Sequence, residues 1–252
     1  MNNAKRIKSL TAAVLLILSC NLTSNAAPTT QGASEMNHQQ VLSETLSARQ
    51  QAIPLIASFM ASSNMEKLNA ALNQGLDAGL TVNEIKEVLV QLYAYTGFPR
   101  SLNALNELMK VVEARKQRGI NDPIGKEPVS PIPVGEELRR VGTANQTKIS
   151  GAPVQGPVFE FAPVINQFLQ THLFGDIFAR DNLDWQSREL ATVGALAATP
   201  GVEAQLLSHM RASLRVGLTA GQLHQLVQLL REHGENEAAI RAENALKLAL
   251  TK

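Results

Sequence analysis

The feature that most constrains how this chain folds is an internal repeat at a shift of 138 residues. Gly79-Leu80-Thr81 recurs as Gly217-Leu218-Thr219. A repeated supersecondary unit buries its apolar face against a neighbouring copy, so we expect the two copies to share a core. The apolar positions around this turn recur at the same shift, where Leu68, Leu72, Leu76, Ile85, Val88, Leu89 and Leu92 correspond to Leu206, Met210, Leu214, Leu223, Leu226, Val227 and Leu230.

The repeated unit has the pattern of a helical hairpin. Residues 68–76 carry leucine at every fourth position, which places these side chains on one face of a helix. Gly79 follows that face and predicts the end of the helix, because glycine adopts the left-handed conformation at little cost. Thr81 and Glu84 then form the capping-box pattern that starts a second helix.

The second copy shows the same signals, with Thr219 and Gln222 at the capping positions. No core segment shows the alternating pattern of a β-strand. We therefore predict an all-α fold in which two copies of one helical repeat pack as a helical bundle. An earlier apolar helix face precedes the hairpin in each copy, formed by Ala52, Leu55, Ile56 and Phe59 in the first and by Leu190, Val193, Leu196 and Ala197 in the second.

Composition divides the chain into segments. Four prolines lie in residues 121–134, which predicts a linker because proline interrupts helices. Residues 41–120 then form repeat 1 and residues 135–252 form repeat 2. Residues 27–40 are rich in small and polar side chains and predict a flexible leader. Within repeat 2, the apolar content of residues 159–178 predicts one additional helix.

The start of the chain has the pattern of a secretory signal peptide. Basic residues at 5–8 precede an apolar run at 11–19 that is too short to span a bilayer, and small residues follow at 24–26. We therefore predict a signal peptide over residues 1–26 and a periplasmic or secreted protein. The alternative is a lipoprotein anchored through Cys20, the only cysteine of the chain.

Charge and histidine spacing bear on the function classes. The formal net charge is +1, which disfavours a nucleic-acid surface because such a surface needs a concentrated basic patch. No membrane span, metal or cofactor is predicted, and a small molecule is the expected partner. The histidines lack the spacing of a metal site; they are His38, His172, His209, His224 and His233.

Several sequence blocks of repeat 2 stand out together. They are Gly175-Asp176-Ile177-Phe178-Ala179-Arg180, Ser187-Arg188-Glu189-Leu190-Ala191-Thr192 and the segment from Leu206 through His209 to Gly217-Leu218-Thr219. These blocks resemble the carboxymuconolactone decarboxylase family, within the wider alkylhydroperoxidase D-like superfamily. The resemblance covers roughly residues 135–230, and residues 84–104 of repeat 1 are similar to the family's third core helix and the turn after it. It implies the alkylhydroperoxidase D-like helical fold for both repeats.

The resemblance implies that Glu189 and His209 face one another as catalytic residues. A carboxylate fixes the tautomer of a neighbouring imidazole, and the imidazole moves protons near neutral pH. Repeat 1 has Ala71 in place of the histidine. The alternative is that His209 is a packed, hydrogen-bonded histidine and Glu189 a solvated acid.

Repeat 1 supplies the predicted substrate-binding residues Tyr93, Tyr95 and Arg100. Tyrosine hydroxyls donate hydrogen bonds to a carboxylate or enolate oxygen, and Arg100 follows a Gly-Phe-Pro turn and suits bidentate carboxylate binding. The site would then be composite, from two repeats of one chain or of two subunits. Core or interface packing is the alternative for the tyrosines, and a surface position is the alternative for Arg100.

The resemblance implies a cofactor-independent decarboxylase acting on a small carboxylated lactone or keto acid. The alternatives are a non-catalytic binding or assembly module on the same fold, and a cysteine-free relative of the peroxidases. Alkylhydroperoxidase D uses a Cys-x-x-Cys pair, and the matching positions here lie near Val202 and Gln205, which disfavours thiol peroxidase chemistry. The family forms trimers or hexamers, so a homo-oligomer is expected, with a trimer favoured.

Overall fold

The computed structural model describes residues Glu44–Thr251. The predicted signal peptide, the leader and Cys20 lie outside the described residues. The described part contains helices and no strand, so the all-α prediction is confirmed. In chain order the helices are α1 (Ala48–Ala61), α2 (Met65–Asp77), α3 (Val82–Thr96), α4 (Phe98–Gln117), α5 (Gly135–Ser150), α6 (Pro157–Phe161), α7 (Pro163–Phe168), a π-helix (Leu169–Ile177), α8 (Trp185–Ala197), α9 (Glu203–Arg215), α10 (Ala220–Glu232) and α11 (Asn236–Leu250).

Helices α1 and α8 form the centre of the core. Every residue from 52 to 61 in α1 and from 187 to 197 in α8 is buried. The two helices approach most closely where Gly194 faces the backbone of Pro54. A Cβ placed on Gly194 would lie 2.5 Å from the Pro54 carbonyl oxygen. The absence of a side chain at Gly194 therefore sets the separation of the central helices.

The other helices are arranged alike around this pair. Helix α2 packs on α1 as α9 packs on α8, α4 packs on α2 and α3 as α11 packs on α9 and α10, and α3 contacts α8 as α10 contacts α1. Helices α2, α3 and α4 begin at Met65, Val82 and Phe98, and α9, α10 and α11 each begin 138 residues later. A duplicated unit would produce this spacing and pairing; the duplication itself stays an interpretation.

The segment predicted as a linker, residues 121–134, contains no helix. It lies along the start of α3, where the Val82 N–H donates to the Pro123 carbonyl at 3.0 Å and the Asn83 N–H donates to the Ile124 carbonyl at 2.8 Å. These bonds satisfy N–H groups that have no partner within the first turn of a helix.

The single helix predicted over residues 159–178 is wrong. The chain forms α6, α7 and the π-helix there, and the first break falls at Ala162-Pro163. Proline disfavours the helical conformation of the residue before it, and Ala162 adopts φ −130° and ψ 73°. The π-helix packs closely on α5, because a Cβ on Gly142 would lie 1.6 Å from the Gln170 carbonyl oxygen.

None of the helices between Glu44 and Thr251 is both long and apolar enough to cross a membrane.

Gly194→Ala tests the close approach of the central helices. We expect it to lower the free energy of unfolding by roughly 1–3 kcal/mol, because its Cβ meets fixed backbone atoms of Pro54 rather than a side chain that can rotate away. Urea denaturation measures the loss. In the control Gly75→Ala, the Cβ meets only side-chain methyl groups of Ile56 and Leu80, both at 3.1 Å, and a smaller loss is expected. If both variants lost the same free energy of unfolding, Gly194 would not set the separation of α1 and α8.

Candidate functional site

Helix α3 presents a polar stripe to the centre of the molecule. Glu87, Gln91 and Tyr95 recur at every fourth position, so they lie on one helix face. That face contacts α8, where Arg188 and Thr192 are also four residues apart and fully buried. An apolar core is thus interrupted by a polar layer between one helix of each predicted repeat.

A buried ion pair anchors this layer. The Arg188 guanidinium is fully buried and donates to Glu87 Oε1 at 3.0 Å, to Gln91 Oε1 at 3.0 Å and to the Arg180 carbonyl at 2.9 Å. Glu87 also accepts from Arg180 Nε at 2.8 Å and from Asn182 Nδ2 at 3.1 Å. A buried charge is tolerated where it is paired and hydrogen-bonded in this way.

The two charges respond differently to their surroundings. Burial acts to raise the pKa of Glu87, but the hydrogen bonds and positive charges of Arg180 and Arg188 outweigh it and hold that pKa below its usual value of 4.5. Burial lowers the pKa of Arg188, while the charge and hydrogen bond of Glu87 oppose that change. The pair therefore stays ionised at neutral pH.

Gln91 completes the connection between α3 and α8. Its Nε2 donates to the Arg188 carbonyl at 2.9 Å and to Thr192 Oγ1 at 2.8 Å. Its Oε1 accepts from the Arg188 guanidinium, so both ends of the amide are used. These bonds fix the register of α3 against the segment of α8 that contains residue 189.

Glu189 and His209 form the predicted pair. Glu189 Oε2 lies 2.8 Å from His209 Nδ1, and the glutamate is fully buried, whereas 14% of the histidine side chain is exposed. The carboxylate accepts the Nδ1 proton and thereby orients the ring. The nitrogen left free for chemistry is Nε2, which makes no hydrogen bond to any residue from Glu44 to Thr251. The solvated position considered for Glu189 is wrong, because its side chain is 0% exposed.

Tyr95, from predicted repeat 1, packs against this pair. Its ring packs edge-on against the His209 imidazole, with centroids 5.4 Å apart and planes at 82°. The Tyr95 hydroxyl is buried beside Thr192. Burial, with a contribution from the nearby negative charge of Glu189, raises the pKa of Tyr95 far above its usual value. The phenol is therefore a neutral group that holds the imidazole in place.

His209 lines a surface cavity of about 340 Å³. Arg211 and Arg215, one turn apart on α9, line the same cavity, and Phe174 of the π-helix contributes an apolar wall. Arg215 packs beside Gly151, which closes α5 at φ +80° and where a Cβ would lie 2.6 Å from Arg215 Nε. The remaining wall is the end of α5 and the loop after it, from Ile149 and Ser150 through Ala152, Pro153, Val154 and Gln155.

The other two predicted binding residues lie elsewhere. The Tyr93 ring stacks on Phe98 with centroids 4.2 Å apart and packs near His172 at 5.5 Å. Arg100 donates to Ser63 Oγ at 3.2 Å and to the Thr96 carbonyl. Neither residue lines the His209 cavity. The structure therefore brings Tyr95 to Glu189 and His209, and it does not bring Tyr93 or Arg100 to the cavity.

Arg211 lines the cavity together with Arg215, which sequence reasoning missed. The available signal was their spacing: residues 208, 211, 212 and 215 recur at three and four positions, so they share one face of α9. Val202 and Gln205, the positions matched to the peroxidase cysteines, precede His209 by two turns and one turn. Their side chains offer no thiol.

Within residues 44–251, no three histidine, cysteine, aspartate or glutamate side chains are grouped so that they could hold a metal ion.

Comparison with known proteins gives a match for part of the chain. Residues 163–248 match the model of the carboxymuconolactone decarboxylase family. The match contains Glu189, His209, Arg211 and Arg215. A search of curated proteins finds no match.

Glu87→Gln tests the buried ion pair. We expect a loss of about 3–5 kcal/mol at pH 7, because Arg188 remains buried without its counter-ion. In the unmodified chain the folded-state pKa of Glu87 lies below the unfolded value, so its contribution is complete above about 4.5 and is lost as the pH falls further. Chemical denaturation between pH 3 and 7 should therefore show a weaker pH dependence in the variant.

Glu137→Gln is the matched control for this experiment. Glu137 pairs with Arg140 on the exposed side of α5, so no measurable loss of stability is expected there. If Glu87→Gln and Glu137→Gln lowered the free energy of unfolding by the same small amount, a structural role for the buried Glu87–Arg188 pair would be contradicted.

Proposed function

We propose that this protein is an exported, cofactor-independent acid–base enzyme of the carboxy-lyase type, acting on a small carboxylated lactone or keto acid. The observation that carries the proposal is the His209–Glu189 pair at a cavity that two arginines also line. The family match to residues 163–248 supports it, because the matched residues include both members of this pair. Fold likeness alone does not define a reaction, so the proposal rests on the side chains of the site.

The proposed reaction needs a group that delivers one proton. The bond between the substrate carbon and its carboxylate breaks, carbon dioxide leaves, and the electron pair is delocalised into the conjugated carbonyl as an enolate. His209, charged and held by Glu189 through Nδ1, delivers its Nε2 proton to that carbon. Solvent then protonates His209 again, which its partly exposed position allows.

The arginines supply the electrostatic part of the proposal. A guanidinium binds a carboxylate or an enolate oxygen through two parallel N–H groups. Arg211 and Arg215 take this role in place of Arg100, because they line the cavity with His209 and Arg100 does not. Positive charge beside the developing enolate lowers the barrier for loss of carbon dioxide.

Tyr95 is assigned a positioning role rather than contact with the substrate. Its hydroxyl is buried and its ring packs against His209, so it limits the orientations of the imidazole. The proposed site is therefore still composite, because α3 of predicted repeat 1 supports a proton-transfer pair in predicted repeat 2.

A binding module on the same scaffold is the second candidate. The observation that favours it is the loss of the pair in repeat 1, where Ala71 is buried at the position of His209. Such a module would bind a carboxylated ligand at Arg211 and Arg215 without turning it over. A peroxidase of the disulfide type is disfavoured by Val202 and Gln205.

Export and assembly are part of the proposal. The predicted signal peptide supports a periplasmic or secreted protein, with lipid anchoring through Cys20 as the alternative. The family resemblance favours a homo-oligomer, and a trimer is the preferred form.

His209→Ala tests the enzyme against the module. Residues 27–252 are incubated with a panel of carboxylated lactones and keto acids, and carbon dioxide release is measured by mass spectrometry. We expect the release to fall at least 100-fold in the variant, because the proton donor is lost. Glu189→Gln should reduce turnover by a smaller factor. Binding without turnover in the unmodified chain would favour the module.

His224→Ala is the control for this comparison, because it removes a histidine of α10 that does not line the cavity. It should leave turnover unchanged. Turnover that survives His209→Ala would contradict the assignment of the proton donor.

A further inference from the structure

Helix α4 carries a second apolar stripe beside its core face. Ser101, Ala104, Leu108, Val111 and Arg115 are the buried residues of this helix. The second stripe follows the spacing 4, 3, 4, 3, which is the pattern of the contact positions of a coiled coil. It is formed by Phe98, Leu102, Leu105, Met109 and Val112, which we call the α4 seam.

The α4 seam faces solvent in the single chain. Phe98, Leu102 and Met109 are 62%, 56% and 65% exposed, and Leu105 and Val112 are partly buried. Single exposed apolar residues are common on protein surfaces, but a contiguous row along four turns of a helix marks a contact site.

A groove runs alongside this seam. It has a volume of about 820 Å³, and most of its surface is apolar. Val82 and Lys86 of α3 and Ile124 of the linker form the side opposite α4, and Ile124 is 61% exposed. A row of apolar side chains with a groove beside it is the surface into which the ridge of another helix packs.

We propose that the α4 seam is a two-fold interface with a second copy of this chain, in which the two α4 helices pack antiparallel. In an isologous contact the same surface meets itself. With Leu105 on the two-fold axis, Leu102 lies opposite the partner's Met109, and Phe98 lies opposite the partner's Val112. Each large side chain then meets a smaller or more flexible one, as a packed helix pair requires.

The charges next to the seam are compatible with this pairing. The residues that flank the contact row on its solvent side are Pro99, Asn106 and Glu113. In the antiparallel arrangement Asn106 faces the partner's Asn106, and Glu113 faces the partner's Pro99. At these three positions no like charges are therefore brought together. Charges at the corresponding positions decide partner choice in many coiled coils.

The area of the seam matches what a stable homodimer needs. Phe98, Leu102, Met109 and Ile124 are each more than half exposed. With about 200 Å² for a large apolar side chain, they expose roughly 500 Å² of apolar surface in each copy. A standard interface buries about 800 Å² per partner, of which roughly 65% is apolar in homodimers. The seam thus provides the apolar part of one such interface.

A cysteine at the axis tests the geometry. Residues 27–252 contain no cysteine, so Leu105→Cys introduces a single thiol. Under mild oxidation we expect a covalent dimer as the main product, because the two Leu105 positions meet at the axis. Ile240→Cys is the matched control, since Ile240 is the counterpart of Leu102 at the shift of 138 residues and is 48% exposed on α11. It should stay largely uncrosslinked.

The oligomeric state tests the proposal without oxidation. Sedimentation equilibrium of residues 27–252 should show an even number of copies, either a dimer or two trimers joined through the seam. A single trimer, the form that the family resemblance alone favours, would overturn the proposal. Leu102→Glu with Met109→Glu should weaken this association at least tenfold, because it places like charges opposite each other across the seam, and Ile240→Glu should not change it. Circular dichroism verifies that each variant is folded.

A monomer at about 100 μM would overturn the proposal and leave the seam to another kind of partner. An assembly that persists unchanged in the seam variant, or a Leu105→Cys chain that does not crosslink, would also overturn it. Carbon dioxide release does not enter these readouts, so they are independent of the proposed enzyme activity.

Discussion

The fully buried guanidinium of Arg188 is the constraint on which the site depends. It can stay charged in the core only because Glu87 and Gln91 of α3 and the Arg180 carbonyl accept its hydrogen bonds. The next residue along α8 is Glu189, whose carboxylate holds His209. The requirement to pair a buried cation therefore fixes α3 against α8, and this places the ring of Tyr95 against the imidazole.

The helices could be predicted from the sequence because their signals are local. The core helices are predicted by the capping boxes at Thr81 and Thr219 and by apolar rows at helical spacing. The contact between Glu189 and His209 is predicted by the family resemblance. Residues 157–177 were harder to predict. The break at Ala162-Pro163 has a local cause in the proline, but the π-helix depends on packing against α5. Turn geometry predicts Arg100 as the carboxylate-binding residue, whereas the arginines at the cavity lie on α9, and which arginines share a cavity depends on tertiary packing.

The two predicted repeats have different tasks in this account. Predicted repeat 2 carries the Glu189–His209 pair and both cavity arginines, and it contains the residues that match the family model. Repeat 1 keeps the same helix arrangement but uses α3 to support the pair. Its α4 carries the apolar seam, whereas the equivalent helix α11 does not repeat the full row. Ala71, at the position that corresponds to His209, is thus compatible with a predicted repeat that serves as a scaffold and as an interface.

The most direct test of the central claim is a crystal structure of residues 27–252 with a saturated five-membered lactone that bears a carboxylate. The account predicts that the carboxylate is bound by Arg211 and Arg215, with the lactone ring within hydrogen-bonding distance of His209 Nε2. A ligand bound at Arg100, or in the groove beside α4, would contradict the assignment of the functional site.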